Sequence, residues 1–165
     1  MAKTIIITGA SRGIGRAIAE EFAGLDCHLA LLSRNFAEVD AAAKEIAAAR
    51  ESHFKLLQLP YQCDVTDKNK VEETFDEIKE RTGSIDVLVN NAGVNSRRTL
   101  NPQDRCSWFD NLAENLAGWH EEIAVNLTAV YVCSYLAAGY MLEQGTGSII
   151  NISSIKGIEP TSSPG

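Results

Sequence analysis

Residues 4–8 read TIIIT, and TGASRGIG begins on the last of them. A short, uninterrupted β-branched run is the mark of a strand buried on both faces. Ile14, Ile18 and Phe22 then recur on one stripe as far as Gly24, which predicts a helix over residues 11–24. Few arrangements satisfy this stretch, because a buried strand must end, turn through glycines and start a helix within a few residues. Gly9 permits a positive φ. Gly13 and Gly15 omit side chains where a ligand would approach the backbone and where helix must pack on strand. The first turn of such a helix offers free N–H groups and the positive end of its dipole, so the loop is an anion site. A tight turn without a ligand would use the same glycines; the flanking strand and helix favour nucleotide binding. The loop has no lysine, which argues against a phosphoryl-transfer P-loop.

The same alternation continues along the chain. Residues 28–33 form a second apolar run. Asn35, with Glu38 three residues on, makes an N-cap pair for an alanine-rich helix running to Arg50. Residues 54–63 hold a third strand. Val71, Thr74, Phe75 and Ile78 mark a helix that Gly83 stops. IDVLVN at 85–90 is a fourth strand. A polar loop around 97–107 leads into one or two helices ending near Leu142, and residues 148–152 form a fifth strand. Strand and helix in alternation with short connections predict an α/β, doubly wound parallel sheet with helices on both faces. Residues 1–165 are expected to be one domain, without repeats or linkers. Ligands bind such sheets at the carboxyl ends of the strands, here residues 9–15, 33–34, 63–65, 90–93 and 153–157.

Charge and composition narrow the partners. The net charge of −7 argues against nucleic acid or an anionic membrane. Local cations at Arg12, Arg16, Arg34, Arg97 and Arg98 still suit a small anion. Cysteines 27, 63, 106 and 133 and histidines 28, 53 and 120 have no metal-ligand spacing, so no metal is expected. The cysteines read as small apolar residues in a reducing compartment. The N-terminal apolar run is too short for a signal peptide. Residues 123–142 carry no charge and are long enough to span a bilayer. They include Asn126, Thr128, Ser134 and tyrosines 131, 135 and 140, so a helix buried on several sides is the better expectation. The chain is expected to be cytoplasmic.

Each strand end carries its own chemistry. A site that holds a ribose diol usually has an acid after the second strand; Arg34 stands there instead and can pair with a 2′-phosphate. Arg12 can add a second cation, which predicts NADP(H). Asp64 can accept from an adenine amino group, or cap the helix beginning near Asp67. Asn90 and Asn91 suit backbone tethering or ribose contacts, while Ala92 and Gly93 leave room for a flat ligand. Asn126 lies in an apolar helix, where a buried amide must be bonded. It is either a structural tie or part of a proton path.

TGASRGIG, DV, NNAG, an Asn within AVNLTAVYV, and SIINISS follow one another in that order. Together they resemble the short-chain dehydrogenase/reductase family, nearest its 3-oxoacyl-carrier-protein reductase and carbonyl reductase branch. The resemblance implies a Rossmann fold. It puts Thr8, Gly9, Ser11, Arg12, Gly13, Ile14 and Gly15 around the cofactor diphosphate. It gives Arg34 to the 2′-phosphate, Asp64 and Val65 to adenine, and Asn91, Ala92 and Gly93 to the ribose side. Asn126 matches the catalytic asparagine. Ser154, directly before Ile-Lys-Gly, matches the catalytic serine, and Ser153 is a backbone-bonding neighbour. The implied activity is hydride transfer between NADP(H) and a ketone or secondary alcohol, possibly a 3-oxoacyl thioester, by a homodimer or homotetramer.

Two departures qualify the resemblance. The family's Tyr-x-x-x-Lys pair is expected just beyond Gly165, and none of Tyr131, Tyr135 and Tyr140 precedes a lysine at that spacing. The chain is therefore expected to be C-terminally incomplete, with further strands to follow and no turnover of its own. The alternative is a nucleotide-binding module without catalysis. The interval from Gly93 to Asn126 is also longer than the family's and holds Arg97, Arg98, Trp108, Phe109 and Trp119, as a lid or as an elaborated surface loop.

Overall fold

The computed structural model describes residues 2–49, 57–95 and 112–154. Five strands alternate with helices: β1 (Lys3–Thr8), α1 (Gly13–Ala23), β2 (Cys27–Ser33), α2 (Phe36–Ala48), β3 (Gln58–Gln62), α3 (Lys68–Thr82), β4 (Val87–Asn90), α4 (Leu112–Ile123), α5 (Ala129–Gln144) and β5 (Ser148–Asn151). A π-helical turn at Ala124–Thr128 joins α4 to α5. All strand pairs are parallel, in the order β3-β2-β1-β4-β5. β1 is central, and the chain crosses it between β3 and β4. That switch in direction opens a crevice at the strands' carboxyl ends.

The isoleucines of β1 set the layers. Ile5 and Ile7 face one side and pack with Ala19 and Ala23 of α1 and Val39, Ala43 and Ile46 of α2. Ile6 faces the other and packs with Phe75 and Ile78 of α3 and Ala129, Cys133 and Ala137 of α5. A strand alternates its side chains, so three successive isoleucines need helices on both sides. Cys27, Cys63 and Cys133 are buried and outside any disulfide among the described residues, as small apolar residues would be. Cys106 lies outside the described residues.

Element ends follow local chemistry. Asn35 caps α2 by accepting the Glu38 N–H. Gly83 ends α3 at φ 86° and Gly145 ends α5 at φ 72°, left-handed values that favour glycine. Asp67 caps α3, accepting the N–H groups of Asn69 and Lys70. This corrects the capping alternative for Asp64, whose Oδ1 instead accepts the Thr66 N–H and hydroxyl. Gln144 mimics a strand residue: it accepts the Ile85 N–H at 3.0 Å and donates to the Ile85 carbonyl at 2.9 Å.

The long apolar helix departs from expectation. From Leu116 to Gln144 it is long and apolar enough to cross a membrane by length and composition alone. Its fully buried residues form one stripe, Ala129, Cys133, Ala137 and Met141, rather than several faces. Leu127, Tyr131, Tyr135 and Leu142 are exposed. The spacing of four residues explains the stripe, because only one line of positions reaches the sheet. Tyr140 donates its hydroxyl to Asp76 of α3.

Candidate functional site

The site begins where β1 ends. Thr8 is buried, and its Oγ1 accepts the N–H groups of Asn91 and Ala92, both at 3.0 Å. Asn91 replies through Nδ2, which donates to the carbonyls of Thr8 at 3.0 Å and Gly9 at 3.2 Å. Neighbouring strand ends are thus stitched together by two polar side chains. Thr8 and Asn91 fix the glycine loop, and of Asn91's two sequence-based alternatives the structure describes backbone tethering.

The three glycines divide their tasks. A Cβ at Gly9 would lie 2.9 Å from the Ala92 Cα, and Gly9 has φ 67°. A Cβ at Gly15 would lie 2.4 Å from Asn91 Nδ2 and 2.5 Å from the Gly9 carbonyl oxygen. Both glycines are therefore required by the protein's own packing. Gly13 has φ 60°, and a Cβ there would meet nothing within 4 Å, so its open side faces a cleft rather than the core. Arg12 is the N-cap of α1 in extended conformation, and its side chain makes no cap hydrogen bond. The first N–H groups of α1 are left for a ligand.

The cleft has a volume of about 820 Å³. Its walls include all the sequence-derived cofactor residues except Thr8 and Gly15, which brace the loop from behind: Gly9, Ser11, Arg12, Gly13, Ile14, Arg34, Asp64, Val65, Asn91, Ala92 and Gly93. Ser33, Asn35, Glu38, Cys63, Val94 and Val125 line it too. A volume of this order, an uncapped helix N-terminus and a glycine without neighbours fit a dinucleotide with its diphosphate over Gly13.

The opposite lip is polar and nearly balanced in charge. Arg34 lies at 3.9 Å from Glu121 of α4, both exposed. Ser33 Oγ donates to Ser11 Oγ at 3.2 Å, and Ser11 Oγ donates to Glu38 Oε2 at 3.3 Å. Asn35 Nδ2 donates to Glu38 Oε1 at 2.9 Å. Burial pushes the Cys63 thiol up, outweighing the Thr74 hydrogen bond that lowers it. Cys63 is thus a neutral wall, not a nucleophile. Burial likewise pushes Cys133 up to about 12. Sequence reading missed the cleft-facing role of Glu38, whose signal was hidden because the same residue reads as a helix cap partner.

Asn126 differs from expectation. It is exposed, not buried, and lies in the π-helical turn. Its Oδ1 accepts the Val94 N–H at 2.9 Å and its Nδ2 donates to the Val94 carbonyl at 2.8 Å. This two-point tie holds the segment after β4 to the helix layer. Ser153 and Ser154 leave the sheet just after β5 and are exposed. The Ile152 N–H donates to the Asn90 carbonyl at 2.9 Å, while Asn90 Nδ2 donates to Asn151 Oδ1 and Ser134 Oγ, both at 2.9 Å. The strand leading to Ser154 is therefore anchored from two sides. Neither Asn126 nor Ser154 is among the described residues lining the cleft. Tyr140 is no acid–base substitute: burial first, then Asp76, pushes its phenol well above the usual range. Of the proposed lid, Arg97, Arg98, Trp108 and Phe109 lie outside the described residues; Trp119, on α4, is exposed.

Comparison with known proteins agrees with this geometry. Carbonyl reductase family member 4 of Xenopus laevis is 36% identical over 157 residues, covering 95% of this chain and 58% of that protein. The 15-hydroxyprostaglandin dehydrogenase (NAD(+)) of Bos taurus is 34% identical over 161 residues, covering 96% of this chain and 52% of that protein. The chain thus spans between 52% and 58% of the length of these curated relatives. A solved metagenomic short-chain oxidoreductase in complex with NADP superposes with a TM-score of 0.76 at 32% identity, covering 96% of this chain and 65% of that one. The family model described as short chain dehydrogenase matches residues 3–163. Because that match starts with β1 and continues past Ser154, through every strand of the sheet, the chain belongs to the short chain dehydrogenase family.

Proposed function

We propose that the chain is the dinucleotide-binding domain, residues 1–165, of an NADP(H)-dependent oxidoreductase acting on a ketone or secondary alcohol. The observation that carries this reading is the cleft itself: an α1 N-terminus without a side-chain cap beside Gly13, with Arg12 next to it and Arg34 from the end of β2 lining the same cleft. The N–H groups of α1 hold the diphosphate. Arg34 swings from Glu121 onto the 2′-phosphate, and Arg12 closes on it from the glycine loop. Asp64 and Val65 flank adenine, while Ala92 and Gly93 give the ribose side its flat wall. The cofactor, when bound, supplies or accepts the hydride.

Ser154 donates its hydroxyl to the substrate carbonyl oxygen and holds it in register for attack. Asn126 keeps the segment after β4 in place through Val94, which leaves little of its amide for a water relay. The proton comes from the Tyr-x-x-x-Lys pair that the family supplies and these 165 residues do not contain. A small carbonyl or alcohol substrate, rather than nucleic acid or membrane, suits the net charge of −7, and the reading is of a cytoplasmic enzyme.

NADPH is expected to bind the intact protein more tightly than NADH by about 1–3 kcal/mol, the range for charge-assisted hydrogen bonds. Fluorescence titration of both nucleotides measures the difference. Equal affinity, or tighter NADH, overturns the cofactor choice.

The exposed face of α5 supports self-association. Tyr131 and Tyr135 stand on it, their rings 6.2 Å apart between centroids, and Leu127 of the preceding π-helical turn is exposed as well. Met141 is buried against the sheet side, and Leu142 next to it is exposed. The intact protein is expected to run as a homodimer or homotetramer in light scattering at micromolar concentration. Replacing Tyr131 and Tyr135 by Lys should shift it toward the monomer. A wild-type monomer would count against this assembly.

A further inference from the structure

We infer that Glu38 is a specificity-determining residue that opposes the 2′-phosphate and so limits the cleft's preference for NADP(H) over NAD(H); this rests on the cofactor reading above. Its carboxylate is fixed by donors from both lips of the cleft. Ser11 Oγ, from the glycine loop, holds Oε2, and Asn35 Nδ2, from the residue after Arg34, holds Oε1. The two arginines proposed to grip the phosphate flank these same donors in sequence, Arg12 after Ser11 and Arg34 before Asn35. Arg12, Arg34 and Glu38 line one cleft, so a phosphate gripped there by both arginines would share it with this carboxylate. Like charges repel there, whereas a ribose 2′-hydroxyl would donate to the same oxygens.

A carboxylate in the first turn suits the helix dipole, but the α2 cap alone does not call for the bond from Ser11 of the glycine loop. The cap of α2 is the Asn35 side chain accepting the Glu38 backbone N–H, a bond that any non-proline residue at 38 can make. An ion pair within the helix does not account for the negative charge either, since the donors to Glu38 are neutral. Glu121 acts in the same sense from the other side by engaging Arg34. Arg12 and Arg34 thus meet Glu38 and Glu121 at this lip, with Asp64 also lining the cleft, so a further negative charge enters where the cations do not outnumber the carboxylates.

The test compares 2′,5′-ADP with 5′-ADP, which differ by the phosphate alone, by calorimetric titration of the intact protein. In Glu38→Gln, 2′,5′-ADP is expected to bind about five- to twentyfold tighter, while 5′-ADP, whose 2′-hydroxyl loses a charged acceptor, binds no tighter than to the wild type. Glu45→Gln removes a charge from the same helix where it pairs with Arg16 outside the cleft, and it should leave the affinity ratio unmoved. A ratio unchanged in Glu38→Gln, or moved equally by Glu45→Gln, overturns the inference. Because the ratio is internal to each variant, a general loss of stability changes both affinities and cannot mimic the effect. A wild-type protein that prefers 5′-ADP would instead refute the NADP(H) reading, while the Glu38→Gln ratio would still decide the role of Glu38.

Discussion

Ser154→Ala in the intact protein is expected to lower kcat/KM by about 10²–10³-fold, the cost of one donor aimed at developing oxyanion charge. Cofactor affinity should change little, because Ser154 is not among the described residues that line the nucleotide cleft. The position of the hydroxyl is inherited from the sheet. β5 pairs in register with β4, Val87 opposite Ser148 through Asn90 opposite Asn151, and Ile152 adds one more bond to the Asn90 carbonyl. Ser154 follows two residues later, so its place is set by a hydrogen-bonded strand pair. Ser153→Ala should affect turnover far less and cost at most a backbone contact, about 1 kcal/mol. Steady-state kinetics on the two variants separates them. Equal effects, or no selective loss at Ser154, would mean that both serines only finish the strand.

Gly15→Ala should be strongly destabilising. The added Cβ would lie 2.4 Å from Asn91 Nδ2 and 2.5 Å from the Gly9 carbonyl oxygen. The latter is backbone and cannot rotate away. Relief requires the glycine loop to move off the end of β4, which breaks the Asn91 bonds to Thr8 and Gly9. The expected loss is about 2–4 kcal/mol, seen as a fall of about 5–15 °C in Tm, with NADPH binding lost in parallel. Gly13→Ala offers the contrast. Its Cβ would meet nothing in the protein, so the cost to stability is only the left-handed backbone, about 1–2 kcal/mol. NADPH affinity should still fall, because the methyl occupies the mouth of the α1 N-terminus. A Gly15→Ala protein that melts like the wild type would show that the loop and β4 are not in close contact.

Much of this architecture is legible in the sequence because a parallel sheet buries both strand faces. TIIIT therefore stands out as an uninterrupted β-branched run and IDVLVN as a mostly apolar one, and Gly83 and Asn35 mark helix ends by local chemistry alone. What escaped reading depends on geometry between elements. Asp64 and Asp67 are equally good caps on paper; only the helix start decides for Asp67. Asn126 looked buried because its neighbours are apolar, yet the π-helical turn brings it outward onto Val94. Met141 is buried while Leu142 beside it is exposed, since one residue of helical phase is enough to carry a side chain from core to solvent. Glu38 was visible as a capping partner, but its second role requires knowing that the glycine loop lies against the start of α2. The conversation between distant segments, such as Ser11 with Glu38 or Thr8 with Asn91, is what sequence spacing cannot express.

The most direct test of the account is a crystal structure of the intact protein grown with NADP(+). The account predicts the diphosphate over Gly13 at the start of α1, and the 2′-phosphate within about 3 Å of the Arg34 guanidinium, which has left Glu121. A nucleotide bound elsewhere, or a 2′-phosphate in solvent with Arg34 still beside Glu121, would contradict it.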